Sequence, residues 1–413
     1  MATNRSFQAM LNEFLPNELL KEEFVKRDYL LSKVEKQNDW LGGNLVVPFK
    51  AAGASSVAFG SLSASNDIAE DTHIRGGVSG HKEVWGSLIF NHRDLMEHEQ
   101  ISEQNFLKIL PGTIEDFMDY MKNVVSVNLL NGAHFAKLTA TGDASGNITV
   151  DRPDRFMIGQ KIIVDDDDSA PVTGYVLSIN MNTKVVNAVT TRGGATPVDF
   201  SAYTVAQNAK VYNDGAQSNS FSSLRGALLS AANGGDSTLY GVTKTLYPYL
   251  QAINVDGSGV TATNIMQKIF DGLTTIRQLG KGNPSDVIMS YKNFASCLKV
   301  IEASKGAYNV VPGSQRASQY GWTEIEIGSV TKGALKLVAV QEADDDVIMF
   351  LDWRALKFYS NGFFRKRMSP DGIEYFEIRN TSGYQYIVDM CLFGELVVNR
   401  PSYCGIMYGI SYT

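Results

Sequence analysis

The spacing of apolar residues changes several times along the 413-residue chain, and each change marks an element. In "GTIEDFMDYMKNVVSVNLLNG", Ile114, Phe117, Met118, Met121, Val124 and Val125 recur every three or four positions, the stripe of an amphipathic helix. Thr113 with Asp116 resembles a capping pair at its start, and Gly132 is a stop. Such a Met-bearing stripe is core material rather than a cofactor box. Nearer the N-terminus, Leu19, Leu20, Phe24, Leu30, Leu31 and Val34 predict helix within residues 1–37, and Pro16 suits a first turn. This helix either packs on its own domain or forms an arm that packs on a neighbouring subunit. Beyond residue 221 the pattern becomes α/β. Ile265, Ile269, Leu273 and Ile276 give a helix ended by glycine. "SDVIMS" then reads as buried strand, "YKNFASCLKVIEAS" as helix, and "ALKLVAV" and "VIMFLD" as strands. Residues 353–400 run strand-rich.

Residues 138–216 have a shorter rhythm. Strands at 147–150, 161–164, 175–179, 185–189 and 210–212 alternate with turns such as "DASGN", "DDDDSAP", "NMNT" and "RGGATP". A small barrel or meander is predicted. Residues 42–92 differ again: Gly, Ser and Ala fill the middle, between apolar ends at 45–49 and 84–90. The two ends are expected to pair as the base of a long hairpin whose middle cannot build a core and needs a partner surface.

Composition adds boundaries. The length predicts two or three lobes. With 44% hydrophobic and 20% charged residues, a folded protein is expected. The formal net charge of -7, with no basic stripe, argues against a protein that grips nucleic acid tightly. Cys297, Cys391 and Cys404 are far apart and outside any C-x-x-C, so reduced thiols are expected rather than a zinc site or disulfide framework. The N-terminal "MATNRSFQAMLNEF" lacks the apolar core of a signal peptide, and no apolar run approaches the roughly 18 residues of a membrane helix.

Candidate chemistry is sparse. Asp165, Asp166, Asp167 and Asp168 follow one another, but "SAP" comes next, without the alternation and closing Glu of a calcium loop. Adjacent carboxylates on a turn point apart and stay hydrated, so an exposed hairpin turn is expected. Asp344 to Asp346, ahead of a buried strand, carry the same expectation. His73, His81, His92, His98 and His134 form no H-E-x-x-H. G-x-S-x-G, G-x-x-x-x-G-K-[ST] and a strand-borne G-x-G-x-x-G are absent. The reading is of a chain that is not an enzyme, with no catalytic, cofactor or metal residues. A secreted hydrolase would need a signal peptide and a rigid carboxylate pair.

The order of segments resembles the major capsid protein of tailed bacteriophages, the Hong Kong 97-type shell fold. The phrases that carry it are "LRGALLSAANGGDSTLYGVTKTLYPYLQA", "SDVIMSYKNFASCLKVIE", "LKLVAVQEADDDVIMFLDWRALKFY" and "GELVVNRPSYCGIMYGI", the last with Asn399 and Pro401. The resemblance implies an α+β phage capsid fold. Its parts would be an N-terminal arm (1–41), an extended loop (42–92) and a peripheral domain with a long spine helix (93–137). An inserted small, barrel-like β-domain (138–216), an axial domain (217–350), and peripheral return strands with the C-terminus (351–413) would follow. It implies self-assembly into hexamers and pentamers of an icosahedral virion shell that encloses double-stranded DNA without specific binding. Assembly would take place in the host bacterial cytoplasm, away from any membrane. A scaffolding protein separate from this chain, a portal and a possible decoration protein would be partners, since the arm begins almost at Met1. Some members cross-link a loop lysine to an asparagine; Lys50 and Lys82 lie in the loop here, and nothing in the sequence marks either as reactive. An encapsulin-like compartment shell is the alternative, and another phage structural protein such as a tail tube subunit ranks below it.

Overall fold

The computed structural model describes residues 24–25, 28–37, 40, 44–50, 73–79, 82–91, 103–166, 169–303, 324–328, 334–360, 364–368, 373, 376–380 and 383–411. Helix and strand both contribute, and the chain divides into two compact units. The first comprises Met1–Asp28, Lys82–Phe221 and Gly362–Gly394; the second comprises Tyr29–His81, Ser222–Asn361 and Glu395–Thr413.

In the first unit the stripe predicted from Ile114 onward belongs to a longer helix, Glu103–Asn131, about 43 Å at 1.5 Å per residue. Pro111 lies inside it, so Thr113 and Asp116 are interior rather than capping residues. A proline there removes one backbone bond, which is why the sequence suggested a later start. Met118, Met121 and Val125 are buried as the stripe requires, and Val125 through Asn131 are buried on every side. The helix ends where expected: Gly132 has φ 110, and its N–H reaches back to Asn128 O at 3.1 Å.

Beneath the helix, strand Lys82–Asn91 pairs antiparallel with strand Gly383–Val398, from Lys82 opposite Gly394 to Asn91 opposite Gln385. This corrects the predicted hairpin base. Residues 84–90 do not pair with 45–49; their partner is about 300 positions away. Local apolar content can announce a strand but not choose between distant partners. Strand Asn44–Lys50 pairs instead with His73–Ser79, in the second unit.

Residues 134–213 form a closed barrel. Six strands run in the order His134–Lys137, Lys210–Asn213, Lys161–Asp165, Val172–Asn180, Val185–Val189 and Asn147–Thr149. The outer two meet as well: Leu138 bridges Val150, Thr139 N–H donates to Thr149 O at 2.8 Å, and Asp151 N–H to Lys137 O at 3.0 Å. Closure leaves no free edge along that seam. Alternate residues point inward, among them Ile162, Val164, Val176, Val186 and Val211, with Phe135, Phe156 and Phe200 filling the ends.

The second unit centres on a mixed sheet ordered Ile253–Asp256, Gly405–Tyr408, Val347–Leu351, Asp286–Met289, Ala334–Ala339 and Glu324–Gly328. Helices Ile265–Thr275 and Tyr291–Ala303 cover it, burying Ile265, Ile269 and Leu273 against Val287, Ile348 and Phe350. The first helix continues as a π-helical turn, Ile276–Gly280. Helix Tyr29–Lys33 also lies on this unit, with Leu30, Leu31 and Val34 buried. The helix predicted as far as residue 37 ends at Lys33, because Glu35–Gln37 become a strand parallel to Leu356–Tyr359. Residues 29–37 of the arm expected at 1–41 thus pack within the chain; its residues 1–23 lie outside the described residues.

Candidate assembly surfaces

The two faces of the Lys82–Asn91 strand have opposite fates. Val84, Gly86 and Leu88 point towards the long helix, opposite Leu392, Met390 and Val388, all of which are fully buried. Gly86 makes room there: a Cβ would sit 2.5 Å from the Phe117 ring and 2.8 Å from Met121 Sδ, so both side chains would have to shift. On the other face stand Glu83, Trp85, Ser87 and Ile89. Trp85 is 47% exposed and Ile89 50%. Trp85 meets Phe393 edge-on at 5.8 Å, and Arg365 lies over the Phe393 ring at 4.8 Å. Ser87 Oγ donates to Asp389 at 2.6 Å, and Arg367 approaches the same carboxylate at 3.5 Å. The result is an aromatic and aliphatic strip edged by charge, the make-up of a protein-binding face.

The Asn44–Lys50/His73–Ser79 ribbon has a firmer root than its composition suggested. Val47, Phe49 and Val78 are buried. Phe49 stacks on Tyr240 with ring centres 5.7 Å apart, and Gly77 N–H donates to Tyr240 O at 3.0 Å. Tyr240, itself at φ 49, donates its hydroxyl to Leu396 O at 2.9 Å and accepts from Val398 N–H at 3.0 Å. Burial pushes its hydroxyl pKa well above the usual range. Sequence reading missed Tyr240, whose only signal is one tyrosine in a Gly-rich segment. The ribbon's middle, residues 51–72, lies outside the described residues.

The acidic runs separate into two kinds. Asp165 closes one barrel strand, and Asp166 organises the turn to the next by accepting Ser169 Oγ at 3.2 Å. Asp167 and Asp168 lie outside the described residues. Asp344 and Asp346 contradict the expectation of a solvated turn. Arg225 donates to Asp346 at 2.9 and 2.8 Å and to Asp344 at 3.2 Å, and Asp344 is only 4% exposed. The clamp spans about 120 positions, so no local pattern reveals it. The segment that carries Arg225 is tied down again by Lys244, whose ammonium donates to the carbonyls of Gly226, Ala227 and Leu229 at 2.9, 3.0 and 2.7 Å.

Cys297, Cys391 and Cys404 are buried free thiols. Burial pushes their pKa values up to about 12, 11 and 12, away from reactivity. His134 stands on the first barrel strand and His73 on the ribbon, while His81, His92 and His98 lie outside the described residues. Among the described residues, no group of three or more His, Cys, Asp or Glu could hold a metal ion. None of the helices there is long and apolar enough to cross a membrane. Lys82 donates to Ser218 O at 3.2 Å. Asn399 N–H reaches Ala355 O at 2.8 Å, and Pro401 opens a short turn, Pro401–Tyr403. A groove of about 710 Å³ on the barrel is lined by Asp143, Asn147, Asn180 and Asn187; Asn147 donates its amide to Asp143 and Asn187 its own to Asn147, while Asn180 accepts the N–H groups of Asn182 and Thr183.

No family model and no curated protein sequence matches the chain. Among solved structures it is similar to a chain of the cyanophage A-1(L) capsid asymmetric unit, at 11% identity and a TM-score of 0.49, covering 99% of this chain and 97% of that one. It is also similar to the capsid of Myoviridae phage XM1, at 9% identity and 0.39, covering 92% and 91%. A third is the holo-SrpI encapsulin complex from Synechococcus elongatus PCC 7942, at 10% identity and 0.38, covering 95% and 91%.

Proposed function

We propose that this chain is the major shell subunit of a tailed bacteriophage. It would bind copies of itself in rings of six and five and close an icosahedral head around double-stranded DNA. The observation that carries the reading is the open face of the Lys82–Asn91 strand, where Trp85 and Ile89 remain half-exposed although the opposite face is tightly covered. Apolar side chains alternating with charge along a rigid strand suit a neighbour laid across them. The ribbon rooted on Tyr240 offers the reciprocal element: fixed at its base and poor in large side chains beyond it, it could rest on a second copy. The work is binding rather than catalysis. A separate scaffolding protein, a portal and in some shells a decoration protein complete the proposed assembly, which would form in the host bacterial cytoplasm and end in the virion.

The test is assembly itself. Purified chain, with and without its candidate scaffold, is followed by sedimentation and negative-stain microscopy. Closed particles are expected from wild type. Trp85→Lys combined with Ile89→Lys should leave circular dichroism and the melting temperature nearly unchanged while abolishing particles. Normal shells from the double variant would remove the face from the interface. A tubular product would point to a tail component, and a protein cargo without genomic DNA in native particles would favour an encapsulin-like compartment.

A further inference from the structure

Around Tyr403 the second unit brings cations from three separate segments onto one exposed surface. Arg354 follows the Val347–Leu351 strand, Lys281 follows the Ile276–Gly280 turn, and Arg400 precedes the Pro401–Tyr403 turn; all three are exposed. Contacts fix the two arginine side chains and the backbone that carries Lys281. Asp352, 3% exposed, accepts Arg354 Nε at 2.9 Å and Nη2 at 2.6 Å, and also Asn283 N–H at 3.2 Å. Arg354 and Arg400 lie 6.0 and 5.3 Å from the Tyr403 ring centre, and Arg400 Nη1 donates to Tyr403 Oη at 2.9 Å. Lys281 sits between two glycines that no other residue could replace without movement. A Cβ on Gly280 would lie 2.0 Å from Ser402 O, and one on Gly282 would lie 2.1 Å from Tyr403 O. The loop therefore rests directly on the 401–403 turn, and Lys281 itself takes φ 58, an uncommon conformation for a side-chain-bearing residue.

Three exposed cations thus gather around the 401–403 turn, only Arg354 paired to the buried Asp352 carboxylate, on a chain whose formal charge is -7. Arg354 uses two of its five donors on Asp352 and presents the rest of its fork outward. We infer that this patch binds the phosphate backbone of nucleic acid. Guanidinium forks match phosphate oxygens, and cations spread over three segments suit a polymer of regularly spaced charges better than a single carboxylate. The patch is small and the rest of the chain repels polyanions, so the contact is sequence-independent and weak, in the range of roughly 10⁻⁴ to 10⁻⁶ M typical of non-specific binding. It goes beyond the shell reading, in which DNA is enclosed without being held, and it is measurable on unassembled subunits.

The experiment is fluorescence anisotropy of a labelled DNA duplex with the full-length chain at rising salt. Wild type should bind at low salt and release steeply as salt increases. Lys281→Ala with Arg400→Ala should weaken binding at least tenfold and lower the salt slope by about two, one per lost phosphate contact. Arg400→Lys should recover part of the loss, and Arg192→Ala, on the barrel, should change nothing. Lys281→Ala alone, on its exposed loop, still reports if the double variant melts early. Equal binding by the Lys281 variant and wild type, or equal loss from Arg192→Ala, would overturn the assignment. So would displacement of duplex by polyglutamate at the same charge concentration, which would make the patch a carboxylate dock. Failure of the wild-type chain to form particles, with its duplex binding and the Lys281→Ala loss both intact, would count against the shell reading alone.

Discussion

The barrel of residues 134–213 and the sheet beneath the long helix solve the same problem differently. Both bury one face of alternating strands. The barrel also joins its first and last strands through Leu138 and Val150, and its core is closed by Val127 of the long helix within the same chain. The sheet covers Val388, Met390 and Leu392 completely but leaves Trp85 and Ile89 at half exposure on the other side. A chain that can close one sheet so thoroughly does not leave another open for want of apolar residues. On the shell reading proposed above, the open face would be the part that a neighbouring copy completes.

The largest blow to that contrast should come from inside the barrel. Phe200 is fully buried, packs edge-on against Tyr203 at 6.3 Å, and donates its N–H to Asp143 O at 3.0 Å. Phe200→Ala should cost about 3–5 kcal/mol, the range for an aromatic lost from a core. Hydrogen exchange read on barrel peptides should accelerate by orders of magnitude while peptides of the second unit keep their protection. Uniform acceleration across the chain would mean that the barrel does not stand on its own core.

A smaller effect is expected at the covered face of the open sheet. Gly86→Leu places carbon where Phe117 and Met121 already lie, and overpacking of this kind costs about 1–3 kcal/mol. Denaturant midpoints should fall, and Met121→Ala on the same background should restore part of the loss by making room. An unchanged midpoint would show that the helix does not press on this strand.

These elements were unequally legible in the sequence. Barrel strands such as Lys161–Asp165 and Val185–Val189 announce themselves because their inward positions alternate, a signal that needs no partner. The stripe of Met118, Met121 and Val125 is equally local. What escaped was pairing at long range: Val84 to Leu392, Arg225 to Asp346, Phe49 to Tyr240. The open face was hidden for a related reason. In "KEVWGSLIF" both alternating sets are apolar, with Val84 and Leu88 on one side and Trp85 and Ile89 on the other. Nothing in the string says which set meets the helix; only Gly86, the gap that admits Phe117, decides it.

The smallest effect concerns a turn of the barrel and depends on pH. Asp143 accepts the N–H groups of Ser145 and Asn147, each at 2.8 Å, and the Asn147 side-chain amide at 2.9 Å. These bonds favour the carboxylate, the Asn147 amide most of all, and hold its pKa below the ordinary value. A carboxyl group whose pKa is lower folded than unfolded stabilises the fold above its unfolded value, about 3.9, and loses that contribution as pH falls through the folded value. The group is exposed and water screens it, so the effect should be only a few tenths of a kcal/mol. Asp143→Ala should therefore raise exchange of barrel amides slightly near pH 7. Asp143→Asn, which keeps an acceptor oxygen but no charge, should fall between Ala and wild type there. Once pH drops below the folded pKa, the wild-type carboxyl is neutral too, and wild type should converge on Asn. A wild-type advantage over Asn that persisted at the lowest pH would mean the turn is held by shape rather than by charge.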